Sequence, residues 1–460
     1  MKVTVIGAGW AGLACAVRAV EAGHKVTVLE LASMPGGRAR SDRDAAATDN
    51  GQHLLLAAYD RTLALMRTVG VDPEAAMQRL PLALTTPDGR GVAMAAGANR
   101  WLGPVKALWQ ARGLSGADKR SALRTVLDWH RRSFQCAPEL TVDELLAPVA
   151  TPGLRRLLLD PLCAAALNTP PQHACARTWL RVMQDSLFGP PGASDLLVPR
   201  EPLGALLPEP AWDWLRQQGA SVHLRRRVLG IAPHDRRRGA WRLEVANRGG
   251  LPDTLAPDVT HPGGHDVPGA QGGTIGTSTW LSCEHLVIAT PAAEAARLVT
   301  PWAPDWAARA AALHHEPIAT AVLAVPARAW PRPILALDHD DSNRPAQFAF
   351  HRGRLPDGRD RVALVVSAAS GWVEQGQDRL ADALLSQCRL AFELPNRAPV
   401  DLVDLRVDRR ATFRCEPGLR RPPAHLRPGL MAAGDYIDGP YPATLEGAVR
   451  SGEAACPALR

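Results

Sequence analysis

Residues 7 to 12 read GAGWAG, and the acid Glu30 stands eighteen residues beyond the last of these glycines. Glycine lets a chain turn tightly and lets a ligand approach the main chain. A β-rich run (KVTVI) precedes the glycines, a helical run (LACAVRAVEAG) follows them, and a second strand pattern (KVTVLE) closes on the acid. Together these read as a complete βαβ unit for a dinucleotide. Gly7 permits the turn. Gly9 admits a pyrophosphate to the helix N-terminus, with Trp10 and Ala11 as further cofactor contacts in the same loop, and Gly12 lets helix and strand pack closely. Glu30 is placed to accept hydrogen bonds from ribose hydroxyls.

A second cluster lies in TDNGQHLLLAAYD, residues 48 to 60, where Asp49-Asn50-Gly51-Gln52-His53 runs into Leu54 to Ala58. One reading is a helix start, since Asp or Asn before an apolar run is ordinary N-terminal chemistry. The other is a wall against a reacting ligand, with Gly51 allowing close approach and His53 able to carry a proton.

Met34-Pro35-Gly36-Gly37-Arg38-Ala39-Arg40-Ser41 resembles the GGRxxS segment of the flavin amine oxidase and phytoene desaturase superfamily. At the far end, Gly429 to Asp435 resembles its strand closing on a Gly-Asp pair, and Tyr441 to Gly452 its final helix. The resemblance implies FAD as cofactor. Gly36 and Gly37 would pass beside it, Arg38 would meet the pyrophosphate, and Gly434 and Asp435 would hold the ribityl and phosphate groups. Thr444 and Leu445 would open a helix aimed at the isoalloxazine. Gly51, Gln52 and His53 would pass near the flavin, and Val228 would lie along the adenine unless it is only a strand core residue. The implied fold is α/β, a Rossmann-like FAD-binding domain of the amine-oxidase type with a discontinuous mixed α+β substrate domain.

Within that superfamily, segments 49–60, 197–228 and 433–452 are similar to the hydroxysqualene dehydroxylase family of hopanoid biosynthesis. That likeness implies reductive removal of the hydroxyl of hydroxysqualene, a hydrophobic isoprenoid, to give squalene. His53, Gln52 and Tyr441 are the candidate catalytic groups. A phytoene-type desaturase shares scaffold and substrate class and differs in the direction of electron flow. A non-catalytic prenyl-lipid escort protein is the distant alternative. Amine oxidation fits poorly, because no Lys follows position 119 and the only tyrosines are 59, 436 and 441. No second strand-GxGxxG-helix unit for a nicotinamide cofactor is visible, so an external electron donor is expected.

The elements that must position these residues fall into alternating blocks. Residues 1–80, 205–300 and 406–460 are assigned to the FAD-binding domain, and 81–204 with 301–405, where the longer helical patterns lie, to the substrate domain. Residues 249–279, rich in Gly and Pro and without Lys or Arg, read as a flexible insertion in a hairpin. At 460 residues and 46% hydrophobic content the chain can form about two to three cores. The net charge of +7 is spread out, and no nucleic-acid motif accompanies it. The 8 cysteines show no metal-ligand spacing and are expected to be reduced, buried thiols of a cytoplasmic protein. The N-terminus is already a strand, so no leader is expected there. No apolar run approaches the roughly 18 residues that span a bilayer, and Asp160 and Pro161 break the Leu157 to Leu167 stretch. Trp101, Leu102, Val105, Leu108 and Trp109, followed by a helix bearing Lys119, Arg131 and Arg132, leave two readings open: core helices, or a face resting on the inner side of the cytoplasmic membrane.

Overall fold

The computed structural model describes residues 1–41, 53–97, 102–234, 237–246 and 278–457. Strand Lys2–Ile6 leads into helix Trp10–Glu21 and then strand Lys25–Leu29, which pairs in parallel with the first from Lys2↔Lys25 to Ile6↔Leu29. The helix ends because Gly23, at φ +75°, reverses the chain, and Gly23 and His24 donate back to Val20 and Ala19. Four further strands complete a six-stranded sheet in the order His425–Arg427, Leu430–Ala432, His285–Ile288, Lys2–Ile6, Lys25–Leu29, Ser221–His223.

The side-chain alternation of the central strand divides the core in two. Val3 and Val5 join a cluster with the helices Trp10–Glu21, Pro208–Gln217 and Leu445–Ala455. Ile6 faces the other side, where the three-stranded sheet of Val228–Pro233, Trp241–Ala246 and Ser278–Cys283 packs with helices Ala292–Val299 and Pro304–Ala311. The strands flanking the Gly/Pro insertion pair antiparallel, Ala246 opposite Ser278, as a hairpin requires. Ser278 and Thr279 belong to that strand, and residues 249–277 of the insertion lie outside the described residues.

The segment 301–405 departs from its helical expectation. It is dominated by a five-stranded antiparallel sheet ordered Ile334–Ala336, Phe348–Arg354, Asp360–Val366, His315–Val325, Asp401–Phe413. The strand Asp401–Phe413 crosses the expected boundary at 405/406, because its ladder with His315–Val325 continues to Phe413. Helix Leu203–Leu206 likewise straddles 204/205, with Leu203 and Leu206 in the first core cluster.

Helices Leu102–Gln110, Gly116–Arg131, Val142–Leu146, Asp160–Leu167 and Ala176–Ser186 build a separate layer around buried Trp129, Trp179 and Leu154. Helical backbone continues through Asp160 and Pro161, whose charge and ring interrupt the apolar run of 157–167. A π-helical turn, Arg155–Leu159, absorbs the proline at the next helix's first turn, and Asp160 pairs with Arg155 at 3.2 Å. Among the described residues no helix is long and apolar enough to cross a membrane. All eight cysteines are free thiols, six buried and Cys136 and Cys456 half-buried.

Candidate active site

A cleft of about 710 Å³ opens at the carboxyl ends of the central parallel strands. Its floor explains the glycine pattern. Gly7 has φ +104°, and a Cβ there would lie 2.5 Å from the Ala289 carbonyl oxygen. A Cβ at Gly12 would lie 2.0 Å from the Gly7 oxygen, so Gly12 serves helix-strand contact as expected. At Gly9 the nearest atom to a Cβ would be the Gly37 Cα at 3.9 Å, which leaves the floor bare toward the cleft. No side chain caps helix Trp10–Glu21, whose first N–H groups are thereby available to an anion. Ala11 lines the cleft beside Gly9, and Trp10 is pinned by its indole N–H, which donates to the Ala39 carbonyl at 3.0 Å.

Gly36, at φ +118°, bridges to Gly9 and donates its N–H to the Ala8 carbonyl at 2.8 Å, folding the Gly36-Gly37 turn over the first loop. The Glu30 carboxylate accepts from the N–H groups of Ala8 and Ala32, each at 2.7 Å. A carboxylate has about four acceptor positions, so two main-chain bonds orient it and leave capacity for ribose hydroxyls. Arg38 lines the cleft. It forms an ion pair with Asp435, 397 residues away, and donates to the Ala411 carbonyl at 3.1 Å. The opposite charge of Asp435 within direct contact draws it there, tying the Gly36-Gly37 turn to the carboxy-terminal strand-loop. Gly434 is equally constrained: a Cβ would lie 2.5 Å from the Tyr436 ring, whose phenol is pushed well up by burial. Val228 is buried in the second core cluster and also lines the cleft.

A second cavity of about 340 Å³ adjoins the first, and its walls are mainly apolar. Phe348, Phe350 and Val365 of the five-stranded sheet form one side, and Leu162, Val182 and Met183 of the helical layer another. His53, Ile318, Thr412, Ala443, Thr444 and Leu445 line both cavities and mark where they meet. Thr444 caps helix Leu445–Ala455, its hydroxyl accepting from the Gly447 N–H at 2.9 Å, so the helix N-terminus stands at the junction. Ala443 holds φ +56°, a left-handed conformation that costs a non-glycine residue about 1 kcal/mol or more, and its N–H is anchored on the Asp435 carbonyl at 3.1 Å. Strain of this kind concentrates where a site is shaped for a ligand.

The helix-start reading of the 48–60 segment is corrected. Leu55–Leu56 is a short strand paired with Leu196–Pro199, and the helix begins only at Asp60, because Leu55 and Leu56 find ladder partners in Leu197 and Leu196. His53 stands at the junction, whereas Gly51 and Gln52 lie outside the described residues. Tyr441 lines the apolar cavity, and its hydroxyl donates to the Asp185 carboxylate at 2.8 Å. Burial and then Asp185 push the Tyr441 phenol up. Arg181 pairs with the same carboxylate, and Arg450 stacks 5.1 Å from the Tyr441 ring centroid. Asp185, Thr412 and the phenylalanines of the sheet escaped sequence reasoning. No motif surrounds them, and only the four-residue spacing of Arg181 and Asp185 hinted at an ion pair.

The flavin containing amine oxidoreductase family model matches residues 10–459. The chain is 28% identical to the hydroxysqualene dehydroxylase of Rhodopseudomonas palustris, over 98% of this chain and 97% of that protein. A probable zeta-carotene desaturase of Synechococcus elongatus is also 28% identical, over 50% of this chain and 51% of its own. Among solved structures, an oxidoreductase from Methanosarcina mazei superimposes with TM-score 0.69 at 15% identity, over 99% of both chains, a likeness of fold. The family match runs from the first helix to the last, across residues 10–459: the chain belongs to the flavin containing amine oxidoreductase family.

Proposed function

We propose that the protein is an FAD-dependent oxidoreductase that removes the hydroxyl of hydroxysqualene to give squalene. The observation that carries this is an apolar cavity meeting the dinucleotide cleft at His53 and Thr444, in a chain similar over its full length to a hydroxysqualene dehydroxylase. The desaturase likeness covers half the chain. The cleft residues fit FAD: bare Gly9 for the pyrophosphate, Glu30 for the ribose, and Asp435 with the helix N-terminus at Thr444 for the ribityl chain and ring. FAD held there and reduced by an external donor would supply a hydride.

The chain's own residues do the rest. Phe348, Phe350, Val365 and Leu162 exclude water and accept the isoprenoid chain. An allylic hydroxyl leaves as water once a proton reaches its oxygen; the C–O bond breaks, and the incoming hydride completes the new C–H bond. The His53 imidazole, at the junction, is the proton donor we favour. Tyr441 is placed second, because its proton is already committed to Asp185 and its phenol is harder to ionise. Anaerobic incubation of chemically reduced, FAD-loaded protein with hydroxysqualene, and separately of the oxidised form with squalene, followed by product analysis, tests the assignment. Squalene from the first and no reaction in the second is the expected outcome. A dehydrogenated product from the second, with none from the first, would overturn it.

A further inference from the structure

We propose that helices Leu102–Gln110 and Gly116–Arg131 dock the protein on an anionic lipid bilayer. Helical spacing puts Leu102, Val105, Lys106 and Trp109 on one face of the first helix. Leu102 is 70% and Trp109 75% exposed on that face, while Gly103 and Ala107 are buried on the other side. Leu108 does not share it and packs inward against the helical core. On the second helix the same spacing turns Arg120, Leu123, Arg124, Leu127 and Arg131 outward, with Leu127 55% exposed, and Ser121, Ala122, Thr125 and Trp129 inward. Lys119 joins the pair by donating to the Trp109 carbonyl at 2.7 Å.

The charge on this surface selects the partner. Between residues 102 and 132 both acids are engaged. Asp118 is buried in the capping box of the second helix, and Asp128 pairs with Arg132. Lys106, Arg120, Arg124 and Arg131 stand exposed among the apolar side chains. Leucines and a tryptophan flanked by cations without exposed acids match a headgroup layer over acyl chains, whereas protein interfaces deplete lysine and deplete charge at their cores. The inner side of the platform leads toward the substrate cavity. Leu158 and Leu162 pack both in the helical core behind these helices and in the cluster around the cavity. One helical layer therefore separates a lipid surface from the apolar pocket, and the bilayer becomes the store of a water-insoluble substrate. Only the identity of that substrate rests on the function proposed above.

Flotation of FAD-loaded protein on phosphatidylcholine vesicles, with and without phosphatidylglycerol, tests the docking without any turnover. The wild type floats with phosphatidylglycerol vesicles, and raising the salt weakens this. A Leu102→Ser/Val105→Ser/Trp109→Ser variant and a Lys106→Gln/Arg120→Gln/Arg124→Gln variant each lose about tenfold or more in partition, with flavin absorbance and melting temperature unchanged. Both keep turnover of detergent-dispersed hydroxysqualene and lose turnover of vesicle-embedded hydroxysqualene. A wild type that stays unbound, or variants that float as well as it does, would overturn the proposal. So would a wild-type dimer that the apolar variant converts to monomer without changing flotation, since the face would then belong to a second copy. Failure of detergent-dispersed turnover in the wild type counts against the proposed reaction and leaves the docking result standing.

Discussion

A side chain at Gly9 would begin in open space, 3.9 Å from its nearest neighbour, whereas at Gly7 and Gly12 it would strike main-chain oxygen at 2.5 and 2.0 Å. The three glycines therefore fail differently when replaced. Gly9→Val keeps the fold and fills the position where pyrophosphate must lie, so the protein is expected to purify folded with its flavin absorbance lost. Full FAD occupancy in that variant would remove the loop from the cofactor site. Glu30→Ala also weakens cofactor retention, and it strands the Ala8 and Ala32 N–H groups at a cost of about 1–3 kcal/mol, visible as a lower melting temperature. The two proton-donor candidates separate in a single turnover. His53→Ala is expected to retain FAD and to slow dehydroxylation by about a hundredfold or more. Tyr441→Phe, whose proton is held by Asp185, is expected to have the smaller effect. The reverse order would transfer the acid role to Tyr441.

Helix Gly116–Arg131 depends on one carboxylate. Asp118 accepts from the Ser115 N–H at 2.8 Å and from the Ser115 and Thr151 hydroxyls at 2.7 and 2.5 Å, bonds that hold its carboxyl below the usual range. A lowered value in the folded state means that the stabilisation is present above the ordinary carboxylate pKa of about 4 and is lost as pH falls through the folded value. Asp118→Asn should therefore cost about 1–2 kcal/mol at neutral pH, with the gap in melting temperature from wild type closing below about pH 4. A gap independent of pH would contradict the assignment. Elements of this kind differ in how far they were legible from sequence. The first βαβ unit was readable because turn, helix start and strand end are local demands met by adjacent residues, and Gly7, Gly12 and Gly36 each satisfy one. The five-stranded sheet was not, because strands such as His315–Val325 are buried on both faces and lose the alternation that marks a strand. Leu55–Leu56 was open to a helical reading because its partner strand, Leu196–Pro199, lies far along the chain. Asp185 reaches the cavity only through tertiary packing, which its four-residue spacing from Arg181 does not announce.

At the scale of the whole molecule, the two ends of the chain close on each other around the cofactor cleft. Gly452 of the last helix is packed so tightly on the first that a Cβ would lie 2.0 Å from the Ala11 oxygen, and Arg18 donates to Glu453 at 2.8 Å. The middle of the chain supplies the apolar cavity, and among the described residues six line both spaces at one junction. A substrate in the cavity is thereby presented to a flavin in the cleft, which either direction of hydride transfer requires, so the direction is the central claim to test. The most direct measurement is anaerobic stopped-flow absorbance of the flavin, with product quantified in the same sample. Reduced protein mixed with hydroxysqualene is predicted to regain oxidised-flavin absorbance as squalene appears in equal amount, and His53→Ala to do so far more slowly. Flavin that stays reduced with hydroxysqualene, while oxidised protein is bleached by squalene, would contradict the account.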